Sequence, residues 1–268
     1  MTEQIISNSS ALATMDDWLP TVAGQYLMAW EQARFDQAVA DVFGYHALQL
    51  GLPQVDTLRS NRIPHRWLAA AHGGMPTQHT GALAADSAML PFPEASLDLV
   101  TLPHTLELSV DPHATLAEVA RVLVPEGRVV ICGFNPASLW GFRQRRAHWY
   151  QRLGHGELFL PEAGEMIAYR RLRDWLRLLS FEVESSRFGC YRPALQSEAL
   201  QNRFTWMDRA GERWWPIFGA VYFIVAVKRV RGMRLLEPNW KRRPKFATAP
   251  VSVAPRAHNT RVNQHIDL

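Results

Sequence analysis

The chain has 268 residues and a net charge of +4, and 47% of its residues are hydrophobic, ten of them Trp. This composition excludes global disorder, and the length suffices for one large α/β domain or two small ones. The two Cys are too few for a disulfide framework or a cysteine metal cluster, which favours a reducing compartment. The sequence shows neither a signal-peptide pattern nor an apolar stretch long enough to span a bilayer, so we expect a cytoplasmic protein.

The first predicted elements are a flexible tail, a helix and a strand. Residues 1–19 are polar, and we expect them to be loose. A helix is predicted over 20–43, with Gly44 as its C-terminal cap and an apolar face packed on a sheet. His46 to Leu50 reads as the first strand, and Gly51 is the only glycine in the turn that follows it.

Two further strands are predicted before residue 90. Residues 63–71 favour a second strand, and Gly81 to Asp86 favours a third strand that ends in an acid. Between Gln49 and Asp86 the only acidic residue is Asp56. Asp86 alone also suits a simple turn cap before Pro91.

Residues 89–135 contain a complete strand–helix–strand unit. Residues 97–102 form an apolar run, interrupted by Asp98, that is typical of a strand buried on both faces. Asp111 and Pro112 suit a helix start, and an apolar stripe follows at helical spacing. Pro125 to Gly127 ends this helix, and 128–132 is the next buried strand. This order predicts a right-handed parallel unit.

The same region carries motifs of a known family. The strings are LPFPEASLDLV at 90–100, PHTLEL at 103–108, RVLVPEGR at 121–128 and VVICGFNP at 129–136. They resemble the class I methyltransferases of the type 11 group, which use S-adenosylmethionine (SAM), and the resemblance extends from about 45 to 227. FNPASLWG, at 134–141, further resembles a small bacterial subgroup of methyltransferase-domain proteins.

The resemblance implies a fold and a donor site. The fold is a three-layer, Rossmann-like sandwich whose seven-stranded sheet is mostly parallel, with an antiparallel last strand. It implies SAM contacts at the end of the first strand, at an acid that accepts a hydrogen bond from the adenine amino group, and at the end of the fourth strand. The matching residues are Leu50, Gly51, Asp86, Ser87, Ala88, Met89, Pro103 and His104.

The chain departs from the family pattern at two points. The family's first turn is glycine-rich, whereas only Gly51 remains here, and no acid follows the second strand to bind the ribose. His104 and Glu107, at the end of the fourth strand, are weak candidates for a catalytic base, since histidine titrates near neutral pH. The catalytic residues are otherwise unknown, and no metal site is predicted.

The rest of the domain follows the family order. Residues 169–179 predict an amphipathic helix, 181–188 a strand, 190–216 an insertion rich in Trp, and 220–227 the last strand. Asn135 and Pro136, with Trp140 and Phe142, are expected to shape the acceptor side of the cleft. Arg143, Arg145, Arg146 and Arg152 favour either a solvated basic helix or attraction of an anionic acceptor. The methyltransferase-like domain is thus predicted at 20–230, with its core at 45–227.

The basic charge concentrates in a tail at 231–268. Residues 228–245 hold eight Lys or Arg and one Glu, a local charge of +7, and the tail is predicted to be disordered. The basic residues of the tail could bind nucleic acid or a membrane, but the tail sequence has no motif of interleaved basic and aromatic residues to support this. The leading hypothesis is a SAM-dependent methyltransferase acting on a small molecule of unknown identity. The alternative is a catalytically silent methyltransferase-like binding protein.

Overall fold

A computed structural model of the chain describes residues 15–70, 81–152, 160–161, 166–195 and 197–229. The chain divides into two units, Met1–Arg231 and Gly232–Leu268, and the described residues all belong to the first. The predicted basic tail therefore lies outside the described residues.

Seven strands form one sheet in the order β3-β2-β1-β4-β5-β7-β6. The strands are β1 His46–Leu50, β2 His65–Ala70, β3 Gly81–Ala84, β4 Leu97–Pro103, β5 Leu123–Phe134, β6 Phe181–Gly189 and β7 Val221–Lys228. All pairs from β3 to β5 are parallel, whereas β7 is antiparallel to both β5 and β6. The predicted fold class is confirmed.

Helices cover both faces of this sheet. They are α1 Val22–Val39, α2 Thr105–Leu108, α3 Pro112–Val122, α4 Leu139–Arg152, α5 Tyr169–Leu178, α6 Glu198–Arg203 and α7 Trp206–Trp214, followed by a 3₁₀ turn at Pro216–Phe218. One apolar cluster joins α1 and α4 to the sheet, and a second joins α3 and α5 to it. Two separate clusters are the signature of a three-layer sandwich.

The residues that cap α1 and α3 explain where these helices begin. Thr21 accepts a hydrogen bond from the Gly24 amide at 3.1 Å, which sets the start of α1. Asp111 accepts bonds from the amides of His113 and Ala114 at 2.9 and 3.0 Å, directly before Pro112. The predicted start of α3 is confirmed.

The end of α1 differs from the prediction. The helix ends at Val39, and Gly44 is not its cap. A Cβ at Gly44 would lie 2.3 Å from Cγ of Asp98, so a side chain has no room there. The Asp98 carboxylate accepts bonds from the amides of Tyr45 and His46 at 2.7 and 2.9 Å. The single charge inside β4 therefore holds the start of β1.

The described part of the predicted N-terminal tail belongs to the core. Residues 15–18 are helical, and Met15, Trp18 and Leu19 are buried. The Trp18 ring meets those of Phe134 and Trp140 edge-on, with centroid distances of 5.9 and 6.0 Å. Residues 15–19 are predicted to be flexible because the surrounding sequence is polar, but burial of their apolar side chains anchors them to the domain.

The connection from β1 to β2 contains turns and no helix at 51–64. Leu52, Val55, Leu58 and Ile63 are buried in the same cluster as α1, so the loop itself covers this part of the sheet. The next connection, 71–80, lies outside the described residues. β3 ends at Ala84, two residues before the predicted end at Asp86.

Among the described residues, no helix combines the length and apolarity needed to cross a membrane.

Candidate functional site

A buried glutamate–histidine cluster, formed by Glu31, His104, Glu107 and Cys132, lies at the end of β4. His104 adopts a left-handed backbone with φ of 52°, which turns the chain from β4 into α2. Its Nδ1 donates to Oε2 of Glu107 at 2.8 Å, and its Nε2 donates to Oε1 of Glu31, on α1, at 2.6 Å. The three side chains are at most 2% exposed, so one imidazole links α1 to the sheet.

The carboxylates of Glu31 and Glu107 each accept one further hydrogen bond. The Cys132 thiol, on β5, donates to Oε1 of Glu31 at 3.2 Å. The amide of Phe134 donates to Oε1 of Glu107. The His104 ring also packs on the Phe134 ring with a centroid distance of 4.3 Å. Buried charges are tolerated when they are paired and hydrogen-bonded in this way.

The electrostatics of the cluster keep His104 protonated. Burial lowers the pKa of this imidazole, but the carboxylates of Glu31 and Glu107 outweigh burial and raise the pKa to about 10. Burial, with the Glu31 carboxylate next in size, raises the pKa of the Cys132 thiol well above its usual value. Both ring nitrogens of His104 are engaged by carboxylates, so the imidazole holds α1 against the sheet in this arrangement, and a catalytic role for it stays a prediction.

The cluster also has the residue types of a metal site. One ligand atom each from Glu31, His104 and Cys132 lies within 4.8 Å of the others. Metal binding needs a neutral imidazole and a thiolate, whereas the charge pairing here favours imidazolium and thiol. The hydrogen bonds of these side chains form an ion-paired link between α1, β4 and β5, and the absence of a metal site stays a prediction.

We expect the charge on His104 to make stability depend on pH. The folded chain keeps this proton above pH 6.5, the ordinary pKa of histidine, and the unfolded chain loses it. The contribution is therefore complete below pH 6.5 and declines as the pH rises towards 10. Between pH 6.5 and 8 the free energy of unfolding is expected to fall by about 1–2 kcal/mol through this group.

Urea titrations of two single variants check this pH dependence. Glu31→Gln removes one carboxylate from the imidazole, so its pH-dependent loss should be smaller than that of the wild type. Glu212→Gln, which removes an exposed carboxylate that pairs with Arg34 of α1 at 3.2 Å, should keep the wild-type slope. Equal slopes in all three proteins would show that Glu31 does not determine the charge on His104.

The end of β1 is organised by a buried glutamine. Gly51 has a φ of +73° and donates its amide to Ala69 O on β2 at 2.7 Å. The Gln49 side chain donates to Leu52 O and Val55 O at 2.9 and 2.7 Å, and it accepts from the amide of Thr57 at 3.0 Å. Where the family has several glycines, this loop folds around one side-chain amide.

The end of β3 presents a carboxylate beside an apolar side chain. A tight turn pairs Asp86 with Met89, and the Asp86 carboxylate accepts from the Ala88 amide at 3.0 Å. Asp86 is exposed, and Met89 is 65% exposed. In the same turn, Ser87 shares a hydrogen bond of 2.9 Å with Thr115 on α3. The turn is thus held to α3 through Ser87, while the side chains of Asp86 and Met89 remain exposed to solvent.

The structure brings most of the predicted donor residues to one edge. β1, β3 and β4 run parallel, so Leu50, Gly51 and Pro103 lie at the same carboxyl edge as the Asp86 turn. Thr105 joins two of these strands, because its hydroxyl donates to Leu50 O at 2.5 Å and lies 3.4 Å from a Cβ built on Gly51. The His104 side chain turns away under α1 to the two glutamates, and its contact with SAM stays a prediction.

Sequence reasoning missed Glu31 and Gln49, and it placed Trp140 differently. Glu31 occupies an apolar helix face in the middle of α1, a position at which a lone acid signals burial with a partner. Trp140 is buried and does not form a cleft wall, whereas Phe142 is 61% exposed. Asn135 donates to Ile217 O and Gly219 O at 2.7 and 2.9 Å, which fixes the segment before β7.

Comparison with known proteins identifies the family. The family model described as a methyltransferase domain matches residues 63–131, which leaves out β1 and most of the loop after it. The chain is 36% identical over 190 residues to the "Uncharacterized protein YafS" of Escherichia coli, with 70% of each chain covered. It is 35% identical over 95 residues to a demethylmenaquinone methyltransferase of Thermus thermophilus, but this match covers 34% of this chain and 40% of that protein.

Solved structures share the fold at low identity. The protein solved in complex with the Trm112 methyltransferase activator of Haloferax volcanii superposes with a TM-score of 0.56 at 20% identity, covering 83% of this chain and 99% of its own. A SAM-dependent methyltransferase from Archaeoglobus fulgidus gives 0.51 at 19%, covering 75% and 94%. With the strand order and the matched domain, these similarities show that the chain belongs to the class I methyltransferases of the type 11 group.

Proposed function

We propose that this protein transfers a methyl group from SAM to an acceptor, and that SAM binds at the carboxyl edge between Gly51 and the Asp86–Met89 turn. The observation that carries the proposal is the open carboxylate of Asp86 beside the exposed side chain of Met89. In open α/β sheets, ligands bind beyond the carboxyl ends of the strands.

The residues at this edge fit the adenine half of SAM best. One oxygen of Asp86 bonds within its own turn, and the exposed carboxylate retains capacity to accept from an amino group. Met89 offers apolar, polarisable surface to a ring. Gly51, with its φ of +73°, lets backbone approach a ligand closely. The family's ribose-binding acid has no counterpart, since residues 71–80 contain neither Asp nor Glu.

The chain's part in such a reaction is to position the reactants. SAM, when bound, supplies a methyl group that is already activated towards nucleophiles. Alignment of a nucleophile with that methyl group is the main requirement on the protein. His104 fixes α1 over the sheet and keeps its own proton, so it is a positioning residue. This favours acceptors whose nucleophilic atom needs no proton removed by the histidine.

A second candidate is a methyltransferase-like binding protein without activity. The loop at 51–58, which closes on Gln49 where the family has a glycine-rich turn, favours it. Each lost cofactor contact is worth about 1–3 kcal/mol, so the affinity for SAM could fall by roughly tenfold to several thousandfold. The two candidates differ in whether SAM or S-adenosylhomocysteine binds at all.

We expect Asp86→Ala to weaken SAM binding by about tenfold to a hundredfold, because it removes an ionised acceptor from the adenine end. Calorimetric titration of the variant and the wild type with SAM measures this change. Asp174→Ala, which removes an exposed carboxylate from α5, is the matched control and should bind SAM normally. Unchanged affinity in Asp86→Ala would place the donor elsewhere.

A further inference from the structure

Four large apolar side chains are exposed in one short segment before β7. Trp214, Trp215, Ile217 and Phe218 are 71%, 54%, 58% and 55% exposed, and Pro216 lies between them. Single exposed apolar residues are normal on a soluble domain, but four within five residues form a contiguous patch. We call residues 214–218 the aromatic segment.

The backbone of the aromatic segment is held firmly while its side chains point outward. Asn135 donates to Ile217 O and Gly219 O, and the Tyr191 hydroxyl donates to Pro216 O at 2.9 Å. A Cβ at Gly219 would lie 2.6 Å from the Gly189 amide nitrogen, so the chain is tightly packed there. The apolar side chains of the aromatic segment are therefore exposed on a backbone that is fixed by hydrogen bonds.

A second exposed apolar surface begins beside the same asparagine. Helix α4 starts four residues after Asn135, and its outward stripe contains Leu139, Phe142 and Trp149, which are 56%, 61% and 59% exposed. These positions are three and seven residues apart, so they share one helix face. The opposite face is occupied, since Trp140 is buried and donates to Arg192 O at 2.8 Å.

The charge around these apolar surfaces is positive on balance. Helix α4, LWGFRQRRAHWYQR, contains four Arg and no Asp or Glu, and Arg143, Arg145 and Arg146 are exposed. Both acids of α7, next to the aromatic segment, are already paired: Asp208 with Arg192 at 2.8 Å and Glu212 with Arg34 at 3.2 Å. The surface thus combines aromatic side chains with a net positive charge.

We propose that the aromatic segment and the outward stripe of α4 bind the surface of an anionic lipid bilayer. Trp, Phe and Leu insert at the level of the headgroups, and Arg on the same element pairs with anionic lipid, which is the composition of interfacial helices. Both elements leave the carboxyl edge of the sheet, so binding brings this edge to the membrane. That it would also bring a lipid-borne acceptor to the donor site rests on the proposed function, whereas the membrane binding does not.

Cosedimentation of the full chain with vesicles tests the proposal. We expect binding to vesicles of phosphatidylcholine with roughly 30% phosphatidylglycerol, weaker binding to pure phosphatidylcholine, and loss of the difference at high salt. The double variant Trp214→Ser, Trp215→Ser should bind anionic vesicles at least about tenfold less tightly. Arg145→Gln, Arg146→Gln should reduce binding to anionic vesicles and leave binding to neutral ones unchanged.

A distant exposed apolar residue provides the matched control. Leu178→Ser changes a side chain that is 82% exposed, on α5 before β6, and it should bind vesicles like the wild type. Thermal unfolding checks that each variant is folded, and Ile217→Ser, Phe218→Ser repeats the test should the Trp pair be needed for folding.

Three results would overturn the proposal. The first is no binding to anionic vesicles, and the second is equal binding by the wild type and both apolar double variants, since the basic tail remains in all of them. The third is wild-type self-association, or binding to a generic RNA, that disappears in the Trp variant while vesicle binding persists. Cosedimentation is measured without SAM, so absence of membrane binding does not contradict the methyl-transfer proposal. Absence of SAM binding likewise does not contradict the membrane proposal.

Discussion

Replacing His104 with alanine is expected to lower the free energy of unfolding by about 3–5 kcal/mol, because it leaves two buried carboxylates without their shared cation. Glu31 and Glu107 are at most 2% exposed, so bulk water does not solvate their charges once the imidazole is removed. For a domain of this size the midpoint of thermal unfolding should fall by roughly 6–20 °C. The cost arises from the unpaired charges more than from the lost hydrogen bonds.

Thermal and urea unfolding at pH 7 measure the His104 effect. His148→Ala, an exposed histidine of α4, is the control and should stay within about 0.5 kcal/mol of the wild type. Should His104→Ala fail to fold, Glu107→Gln tests the same cluster, since it removes one charge and keeps one oxygen that can accept from either Nδ1 or the Phe134 amide. A loss below about 1 kcal/mol in His104→Ala would mean that the ion pairs add little to stability.

Replacing Gln49 with leucine is expected to lower the free energy of unfolding by about 2–4 kcal/mol, because it leaves buried carbonyl and amide groups unpaired. These groups are Leu52 O, Val55 O and the Thr57 amide, and Gln49 itself is fully buried. Leucine is close to glutamine in size, so the effect reports hydrogen bonding more than a cavity. The loop should also lose its fixed shape next to Gly51.

Two measurements read the Gln49 variant. Urea unfolding gives the stability change, and hydrogen exchange of the amides at 51–58 should show faster exchange than in the wild type. Gln54→Leu, on the exposed side of the same loop, is the matched control and should leave both quantities near their wild-type values. Unchanged protection of the loop in Gln49→Leu would show that the apolar side chains at 52, 55 and 58 suffice to hold it.

The elements that sequence predicted best are those whose signals are local. The apolar run of β4, the Asp111–Pro112 start of α3 and the periodic stripe of that helix require no knowledge of distant residues. The antiparallel last strand came instead from the resemblance to a family, since nothing local in 220–227 fixes its direction. The start of α1 differed by two residues only, because Thr21 is a local cap.

What sequence could not predict depends on long-range pairing. Glu31 and His104 are 73 positions apart, and no periodic pattern links an acid in one helix to an imidazole at a strand end. Gly44 had the position of a helix cap, yet its small size serves the approach of Asp98, 54 residues later along the chain. Burial of Met15 and Trp18 likewise needed the sheet face on which they pack.

The basic and aromatic residues of α4 show the same limit. The order of the arginines in the sequence suited a solvated helix or an anion-attracting one, whereas Phe142 was assigned to the acceptor side of the cleft and Trp149 was given no role. The exposed face of α4 interleaves the two kinds of residue, because Trp140 and Gln144 turn inward and leave Phe142 and Trp149 outside. The pattern becomes visible once burial is known.

The measurement that tests the proposed function most directly is calorimetric titration of the full chain with SAM and with S-adenosylhomocysteine. We expect saturable binding of both, and a dissociation constant near 1 μM would correspond to about −8 kcal/mol. Weaker but saturable binding fits the single glycine after β1 and still supports the donor site. Absence of heat, with no rise in the thermal midpoint at millimolar ligand, would contradict the proposed function and favour a binding protein without methyl transfer.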